Sequence, residues 1–266
     1  MDLSRSQYRY TSQKKEDPGI LKAILEIKNR HPRYGVPRLT ALLRKRGILV
    51  NRKRVYRVTK TMNLLVSQKR RKKKLFIPPT RDFPTPQREN QVWAMDFISD
   101  RLDGGGKFRC FTVVDIFSRR SPVVHTSISM SEFLPVKVLK DLKNSGNLPE
   151  AIILDNGPEF ANYSLLHWSK MNNVSLHFID PGKPVQNAYI ESFNGRFRDE
   201  FLNQNRFKTL SRARIKIEEW RKHYNEERPH SSLDYLTPKE FAQKELDMLI
   251  TQTTNPHLNL VDLKTG

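Results

Sequence analysis

Apolar positions in the first part of the chain recur at helical spacing in three short segments. The first segment begins at Pro18, where proline can open a helix, and ends at His31-Pro32. The second begins near Pro37 and stops at Gly47. The third begins at Asn51, a good N-cap residue, and runs to about Asn63. The pattern therefore predicts three short helices in succession.

The third predicted helix has one apolar and one basic face. Val55, Val58 and Met62 share the apolar face. Three short helices with a basic outer face are similar to a helix-turn-helix unit, whose last helix enters the DNA major groove. A solvated basic face on a helical hairpin is the alternative. The predicted DNA contacts of this helix are Arg52, Lys53, Arg57 and Lys60.

Further along the chain the pattern changes to strands that alternate with helices. Strands are predicted over 92–98, 108–117, 122–128, 151–154 and 174–179, and helices over 131–143 and 164–172. Asp103 and the three glycines after it form a natural hairpin turn between the first two strands. Three strands followed by alternating helices and strands predict an α/β fold with a mixed sheet.

Charge separates these two parts of the chain. The 266 residues carry a formal charge of +20. Residues 1–80 hold 23 Lys and Arg against 4 Asp and Glu, whereas residues 81–266 hold 25 against 24. The basic run 69–74 is followed by four prolines and is typical of an extended linker. Because the excess charge lies almost wholly in the first part, a polyanion such as nucleic acid is the expected partner there.

Composition excludes several other classes of protein. No apolar run approaches the ~18 residues that a membrane helix needs, and the first 30 residues contain no continuous apolar segment of the secretory type. We therefore expect no membrane partner and a cytoplasmic location. Cys110 is the only cysteine, which excludes an intramolecular disulfide framework and a multi-cysteine zinc site.

Three carboxylates occupy positions that suggest chemistry. Asp96 lies in the middle of a predicted strand, where a buried charge is costly unless it is paired or bound to a metal. Asp155 directly follows an apolar strand, although Asp-Asn-Gly by itself is usually only a turn. Glu191 lies near the start of a predicted helix, where a solvated surface residue is the ordinary interpretation.

The helix that carries Glu191 has an apolar stripe and, beside it, a polar one. The apolar stripe, which we expect to face the core, consists of Ile190, Phe193, Phe197 and Phe201. The polar stripe, which we expect to face a cleft, consists of Asn187, Glu191, Asn194 and Arg198. A carboxylate and a guanidinium two turns apart on one face suit a metal ligand beside a phosphate-binding cation. A later helix, over about 211–226, carries Ala213, Ile217, Trp220 and Tyr224 at helical spacing, which predicts packing against the core, with partner contact as the alternative.

These residues resemble a known family. Asp96, Asp155 and Glu191 occur in order with 35 residues between the last two, as in the D,D-35-E signature of retroviral integrases and insertion-sequence transposases. The motifs around them resemble those of the OrfB-type (second reading frame) transposase of the IS-three family of bacterial insertion sequences. The matching segments are 31–35, 93–97, 114–119, 155–160, 181–187, 191–195 and 224–233.

The resemblance implies a ribonuclease-H-like catalytic core and DNA strand cleavage and transfer with two divalent metal ions, usually Mg²⁺, for which Mn²⁺ can substitute. It implies that Asp96, Asp155 and Glu191 are the catalytic metal ligands. It places Arg198 at the position of a DNA-contacting Lys or Arg. The family's mobile loop near the DNA end corresponds to Lys183, Gln186 and Asn187.

The resemblance also implies an organisation and partners. We expect a helix-turn-helix region at 1–66, a linker at 67–88, an integrase-like catalytic core at 89–245 and a tail at 246–266. The expected partners are terminal-repeat and target DNA, further copies of the chain on paired ends, and an upstream-frame product, by fusion or association. The expected location is the bacterial cytoplasm, at the nucleoid.

Two positions depart from the family pattern, and two other functions stay open. Asp180 stands where relatives often have Arg, which predicts weaker local phosphate affinity, and Asp234 stands where Gly is common. A catalytically inert DNA-binding regulator derived from the same element is the first alternative function. A plain ribonuclease-H-like nuclease is the second, although it has no need of a helix-turn-helix region.

Overall fold

The chain divides into two compact units in a computed structural model. The units comprise residues 1–69 and 70–266. The structure describes residues 18–67, 84–129, 131–180 and 184–254. The basic run at 69–74 and Lys183 lie outside the described residues. Each unit is described by itself below.

The first unit contains three helices around a small apolar core. They are α1 (Pro18–Arg30), α2 (Val36–Lys45) and α3 (Arg52–Thr61). The side chain of Asn51 accepts a hydrogen bond from the Lys53 N–H, which confirms Asn51 as the N-cap of α3. Ile24, Leu43 and Val55, one from each helix, have no solvent exposure. The three predicted helices are therefore confirmed, and they share one core.

The inner face of α3 differs from the prediction at one position. Met62 is 43% exposed, whereas Thr59 is fully buried. The Thr59 hydroxyl donates to the Val55 carbonyl 2.8 Å away, so its polar group is satisfied inside the helix. Helix α3 ends at Thr61. The expected inward position of Met62 is wrong because the helix ends before it.

The second unit is built on one mixed sheet of five strands. The strand order is β3-β2-β1-β4-β5, with β1 antiparallel to β2 and parallel to β4. The strands are β1 (Val92–Arg101), β2 (Lys107–Asp115), β3 (Val123–Ser127), β4 (Ala151–Leu154) and β5 (Ser175–Phe178). The helices are α4 (Leu134–Asn144), α5 (Tyr163–Met171), α6 (Ala188–Glu200), α7 (Leu210–Glu226) and α8 (Pro238–Thr254). The predicted mixed α/β sheet is confirmed.

Both faces of the central strand β1 are buried. Ala94 and Ile98 pack in one apolar layer with residues of α6 and α7, whereas Trp93 and Met95 pack in the other with residues of α4 and α5. Successive side chains of a strand point to opposite faces, so Asp96 shares the face of Ala94 and Ile98. The sheet therefore presents Asp96 towards the side that α6 occupies.

Helices α6 and α7 build their layer largely from aromatic rings. All four residues of the predicted apolar stripe on α6 are buried, and so are Ala213, Ile217, Trp220 and Tyr224 of α7. Phe193 and Phe197 both contact the ring of Trp220, with centroids 5.7 and 4.6 Å away. The core-packing prediction for α7 is therefore confirmed.

Side chains of α7 occupy the outer edge of the sheet. Arg214 donates to the Thr126 carbonyl on β3 at 3.0 Å, and Arg221 donates to the Ser121 carbonyl at 2.8 Å. Asn225 both donates to and accepts from the backbone of Ser121. These bonds satisfy edge groups that would otherwise be available for pairing with another strand.

A buried ion pair joins α6 to the segment that follows α7. Arg228 donates twice to the carboxylate of Glu200, at 2.7 Å each. Arg228 is 1% exposed and Glu200 is 8% exposed. The motif that contains Arg228 thus has a structural role that its sequence does not reveal.

Asp234, where the family resemblance leads us to expect glycine, has a φ of +50°. This left-handed conformation favours glycine and is tolerated by Asp, which explains the substitution. Helix α8 extends to residue 254, well into the segment expected to be a tail. Within the described residues, no helix is long and apolar enough to cross a membrane.

The Arg228–Glu200 pair yields a stability prediction. We expect Arg228→Met to lower the free energy of unfolding by roughly 3–5 kcal/mol, because it leaves a buried carboxylate without its partner. Arg228→Met combined with Glu200→Gln should cost less, since no charge remains buried. Urea unfolding measures both, with Arg88→Gln, which breaks an exposed pair with Glu150, as the control. A loss no larger than the control's contradicts the role of the pair.

Candidate active site

Asp96 projects from the middle of β1 into a largely desolvated position. One of its carboxylate oxygens accepts from the N–H of Phe97 at 2.6 Å. The other accepts from the side-chain amide of Asn194 on α6 at 2.8 Å. Asp96 is therefore held between its own strand and the helix that carries Glu191.

The carboxylates of Asp155 and Glu191 lie close enough to Asp96 to affect its pKa. Burial, the largest cause, raises the pKa of Asp96 to about 6, and repulsion from Asp155 and Glu191 adds to this effect. The bonds from Phe97 and Asn194 oppose the rise because they favour the ionised form. Three residues that are far apart in sequence thus act on one another in the fold.

Asp155 reaches this region because β4 runs parallel to β1. Ala94 pairs with Ile153, and β4 ends at Leu154, so Asp155 emerges at the level of Asp96. One oxygen of Asp155 accepts from the Gly157 N–H at 2.9 Å, as in an ordinary Asx turn. The turn interpretation and the active-site interpretation are therefore compatible.

Gly157 leaves space that two carboxylates occupy. A Cβ atom at this position would lie 2.9 Å from an oxygen of Asp155 and 3.1 Å from an oxygen of Glu159. Contacts this short would displace a side chain. A larger residue at this position would therefore have to shift the carboxylate of Asp155 or of Glu159.

Glu191 is exposed on α6, one turn before Asn194. The structure shows no hydrogen bond or ion pair for its carboxylate within the described part of the chain. Arg198 lies two turns further along the same face and donates to the Ser99 carbonyl at the far part of β1. The polar stripe of α6 therefore runs alongside β1, from the acidic centre towards the end of the strand.

The donor set of this centre fits a hard divalent cation. All three side chains offer carboxylate oxygens, which Mg²⁺ prefers. The repulsion around Asp96 is the kind that a cation relieves. Among the described residues, no three acidic, histidine or cysteine side chains are gathered closely enough to hold an ion. The three carboxylates are thus electrostatic neighbours that do not form a closed ligand cage.

A buried threonine lies behind Asp96. Thr112 is the cross-strand partner of Asp96 on β2 and is fully buried. Its hydroxyl lies 3.0 Å from the Asn194 side-chain oxygen and 3.0 Å from the Asp96 carbonyl. The polar stripe of α6 contained a signal for Asn194, whereas nothing in the sequence marked Thr112.

An ion pair fastens the Asp155 loop to the sheet. Arg109 on β2 donates to Glu159 at 2.6 Å, and its guanidinium lies 4.7 Å from the centre of the Phe97 ring. The hydrogen bond from Arg109 holds the pKa of Glu159 below its usual value. Phe160 stacks on Phe97 with ring centroids 5.2 Å apart. The loop is therefore anchored beside Asp96 by a charge pair and an aromatic contact.

The loop before α6 uses its amides internally. Gln186 is buried, and both ends of its amide bond to Asp180, at 2.7 and 2.9 Å. Asn187 is also buried, and within the described residues its side-chain oxygen has no hydrogen-bond partner. Lys183 lies outside the described residues. The DNA-contact roles of Lys183, Gln186 and Asn187 stay predictions.

The basic residues of α3 lie on the surface of the first unit. All four of the predicted DNA contacts, Arg52, Lys53, Arg57 and Lys60, are exposed. Tyr56, between them in sequence, is 48% exposed. This face is accessible to a partner, and its role in DNA contact stays a prediction.

Family profiles match both units. Integrase core domain profiles match residues 86–184 and 172–238, and an HTH-like domain profile matches residues 14–73. An uncharacterised 31.7 kDa protein of insertion element IS407 from Burkholderia multivorans is 40% identical over 91% of this chain and 87% of its own length. The transposase InsD of insertion element IS2 from Escherichia coli is 25% identical over 92% of this chain and 83% of its own length.

The fold has a solved counterpart. A chain of the simian T-cell lymphotropic virus intasome, solved with the PP2A regulatory subunit B56 gamma, matches 76% of this chain and 73% of its own length. The TM-score is 0.53 and the identity is 15%, so the similarity concerns the fold alone.

The anchor of the Asp155 loop can be tested by hydrogen exchange. We expect Arg109→Gln to speed amide exchange at residues 157–161 by about 5- to 30-fold, because a charge-assisted hydrogen bond is worth roughly 1–2 kcal/mol. Arg88→Gln, which breaks an exposed ion pair elsewhere in the unit, is the control. Equal exchange in both variants would show that Arg109 does not hold the loop.

Proposed function

The chain belongs to the insertion-sequence transposases that carry an HTH-like domain and an integrase core domain, and we propose that it cleaves and joins DNA strands at the ends of such an element. The observation that carries this proposal is the position of Asp155 beside Asp96 at the end of β4, together with the repulsion that Asp155 and Glu191 exert on the Asp96 carboxylate. A desolvated carboxylate beside two others is a common preparation for metal-assisted chemistry.

Asp96, Asp155 and Glu191 would hold two divalent ions, Mg²⁺ or Mn²⁺, through their carboxylate oxygens. Held by these carboxylates, such ions would supply a nucleophilic water or 3′-hydroxyl and charge compensation at the leaving oxygen. Asp96 lies on a strand paired on both sides, so its backbone provides a rigid reference for the site. Asn194 keeps the Asp96 carboxylate turned towards α6.

Residues around the triad would position the DNA. Arg198, on the Glu191 side of α6, would meet a phosphate beside the reacting one, as a fork of N–H donors suits a phosphate group. Lys183, Gln186 and Asn187 would contact the DNA end from the loop before α6. For Gln186 this requires giving up its bonds with Asp180.

The first unit would select and hold the element's terminal repeats. In this proposal α3 enters the major groove, and Arg52, Lys53, Arg57 and Lys60 meet phosphates and guanine edges. The strong positive charge of residues 1–80 supports a DNA-binding role for this part of the chain.

Joining two element ends to one target calls for more than one copy of the chain. We therefore propose that copies pair on the two ends, alone or as a fusion with an upstream-frame product. Because the substrate is DNA, we propose that the reaction takes place at the bacterial nucleoid. Strand transfer with matched ends, comparing the chain alone with the fused form, decides which form is active.

The catalytic assignment is tested with Asp155→Asn. We expect this variant to bind an end-mimicking oligonucleotide within about 3-fold of the unchanged chain, since one neutralised group changes few contacts. Cleavage and strand transfer with Mg²⁺ should be lost, because a metal ligand is missing. Gel-resolved cleavage of a labelled duplex measures this, with Asp141→Asn on α4 as the matched control. Unchanged turnover in Asp155→Asn would refute the role of Asp155.

The same assay separates the proposal from an inert DNA-binding regulator. A regulator would bind the element ends and give no Mg²⁺-dependent cleavage with the unchanged chain or the fused form. Cleavage that Asp155→Asn abolishes excludes that alternative.

The role of α3 is tested by removing its charges. In this variant Arg52, Lys53, Arg57 and Lys60 are all changed to Gln. Log affinity falls as log salt rises, and we expect the steepness of this fall to decrease by up to about 3.6, at roughly 0.9 for each lost phosphate contact. Fluorescence anisotropy with a terminal-repeat duplex measures the slope. The matched control changes Lys137, Lys140, Lys170 and Lys244, four exposed lysines of the second unit. An equal effect in the control would mean that only net charge matters.

A further inference from the structure

Residues 81–266, which make up most of the second unit, are almost neutral in sum, yet one part of their surface gathers unpaired positive charge. Four exposed cations surround the point where the β1–β2 hairpin meets the segment that leads into α7. We call this the hairpin patch, and it consists of Arg101, Lys107, Arg206 and Lys208. Within the described residues, none of the four forms an ion pair.

Backbone contacts hold the two parts of the patch together. The N–H of Asp103, in the hairpin turn, donates to the carbonyl of Phe207 at 2.9 Å. The buried ring of Phe207 meets Phe108 edge-on, with centroids 5.8 Å apart. Arg206 and Lys208 flank this anchored residue and are both exposed. The hairpin and the segment therefore present their cations from one fixed junction.

Two of the cations lie directly opposite each other. Arg101 and Lys107 are cross-strand partners at the turn end of the β1–β2 ladder. Like charges in this arrangement repel and destabilise the strand pair. The carboxylates of the same hairpin, Asp100 and Asp103, form no ion pair with them in the described structure. A polyanion bound across the patch would relieve this repulsion.

The patch lies along β1 from the acidic centre. From Asp96 to Arg101 the strand advances five residues, about 16 Å at 3.3 Å per residue. Because five residues separate them, Arg101 projects from the face of the sheet opposite to Asp96, whereas Arg198 bonds to the Ser99 carbonyl from α6. A bound DNA would therefore reach the patch around the end of the strand, about 16 Å beyond the acidic centre.

We propose that the hairpin patch binds the phosphate backbone of the duplex DNA that has its reacting phosphate at the triad. This inference rests on the proposed function, because it takes the triad as the reacting centre. It adds a contact surface on the catalytic unit that is separate from α3 and from the loop before α6. The recognition is electrostatic and independent of sequence, since the cations meet phosphates.

The binding test neutralises the patch in the full chain. Arg101, Lys107, Arg206 and Lys208 are all changed to Gln, and anisotropy with a 30-bp duplex of arbitrary sequence gives the affinity across a range of salt. We expect the dependence of log affinity on log salt to become less steep by about 2–3.5. The affinity at 0.1 M salt should fall roughly 10- to 100-fold. The control variant with Lys137, Lys140, Lys170 and Lys244 changed to Gln has the same net charge and should alter the slope far less. An unchanged slope, or an equal change in the control, overturns the proposal.

A stability measurement separates a binding surface from a structural one. Lys107→Glu replaces a repulsive cross-strand pair with an attractive one, so we expect Tm to rise by about 1–3 °C. The same variant should bind DNA more weakly. A lower Tm, or unchanged DNA binding, would contradict the proposal. Both measurements are independent of cleavage, so failure of the Asp155→Asn test would remove the catalytic assignment while leaving the binding result interpretable.

Discussion

The negative charge gathered beside β1 is the constraint on which the rest of the second unit depends. Asp96 is desolvated and repelled by Asp155 and Glu191, and these effects disfavour its ionised form. Hydrogen bonds from Phe97 and Asn194 oppose them. The site therefore needs a rigid support, which the central strand and two apolar layers provide. It also has a physical reason to take up cations.

That support is distributed over elements far from the triad. The aromatic packing of α6 on α7 fixes the helix that carries Glu191 and Asn194. The Arg228–Glu200 pair joins the end of α6 to the segment after α7. The Arg109–Glu159 pair and the Phe97–Phe160 stack hold the Asp155 loop. Residues that take no part in the proposed reaction thus determine where the carboxylates lie.

The two units distribute their charged residues differently. The first unit concentrates positive charge, and α3 displays part of it on an exposed face. Residues 81–266 sum to almost zero because acidic and basic residues cancel in the count, although they occupy different places on the surface. Around β1 the carboxylates collect at the middle of the strand, whereas Arg198, Arg101 and Lys107 follow towards its end. The net charge does not show this separation of acidic and basic residues, which becomes visible only in the three-dimensional structure.

The sequence by itself determined the elements and the candidate triad. Helical and strand periodicity is local, so the three helices of the first unit and the five strands of the second could be read from neighbouring residues. Asp96 was conspicuous as a charge within an apolar strand, and the stripes of α6 followed from its helical period. Only the tertiary structure decided the contacts of Thr112 with Asn194, of Arg109 with Glu159 and of Phe207 with the hairpin. These pairs join residues 50 to about 100 positions apart, and no local pattern encodes which distant side chains will meet. The misplaced Met62 has the same origin, because the end of α3 depends on packing as well as on periodicity.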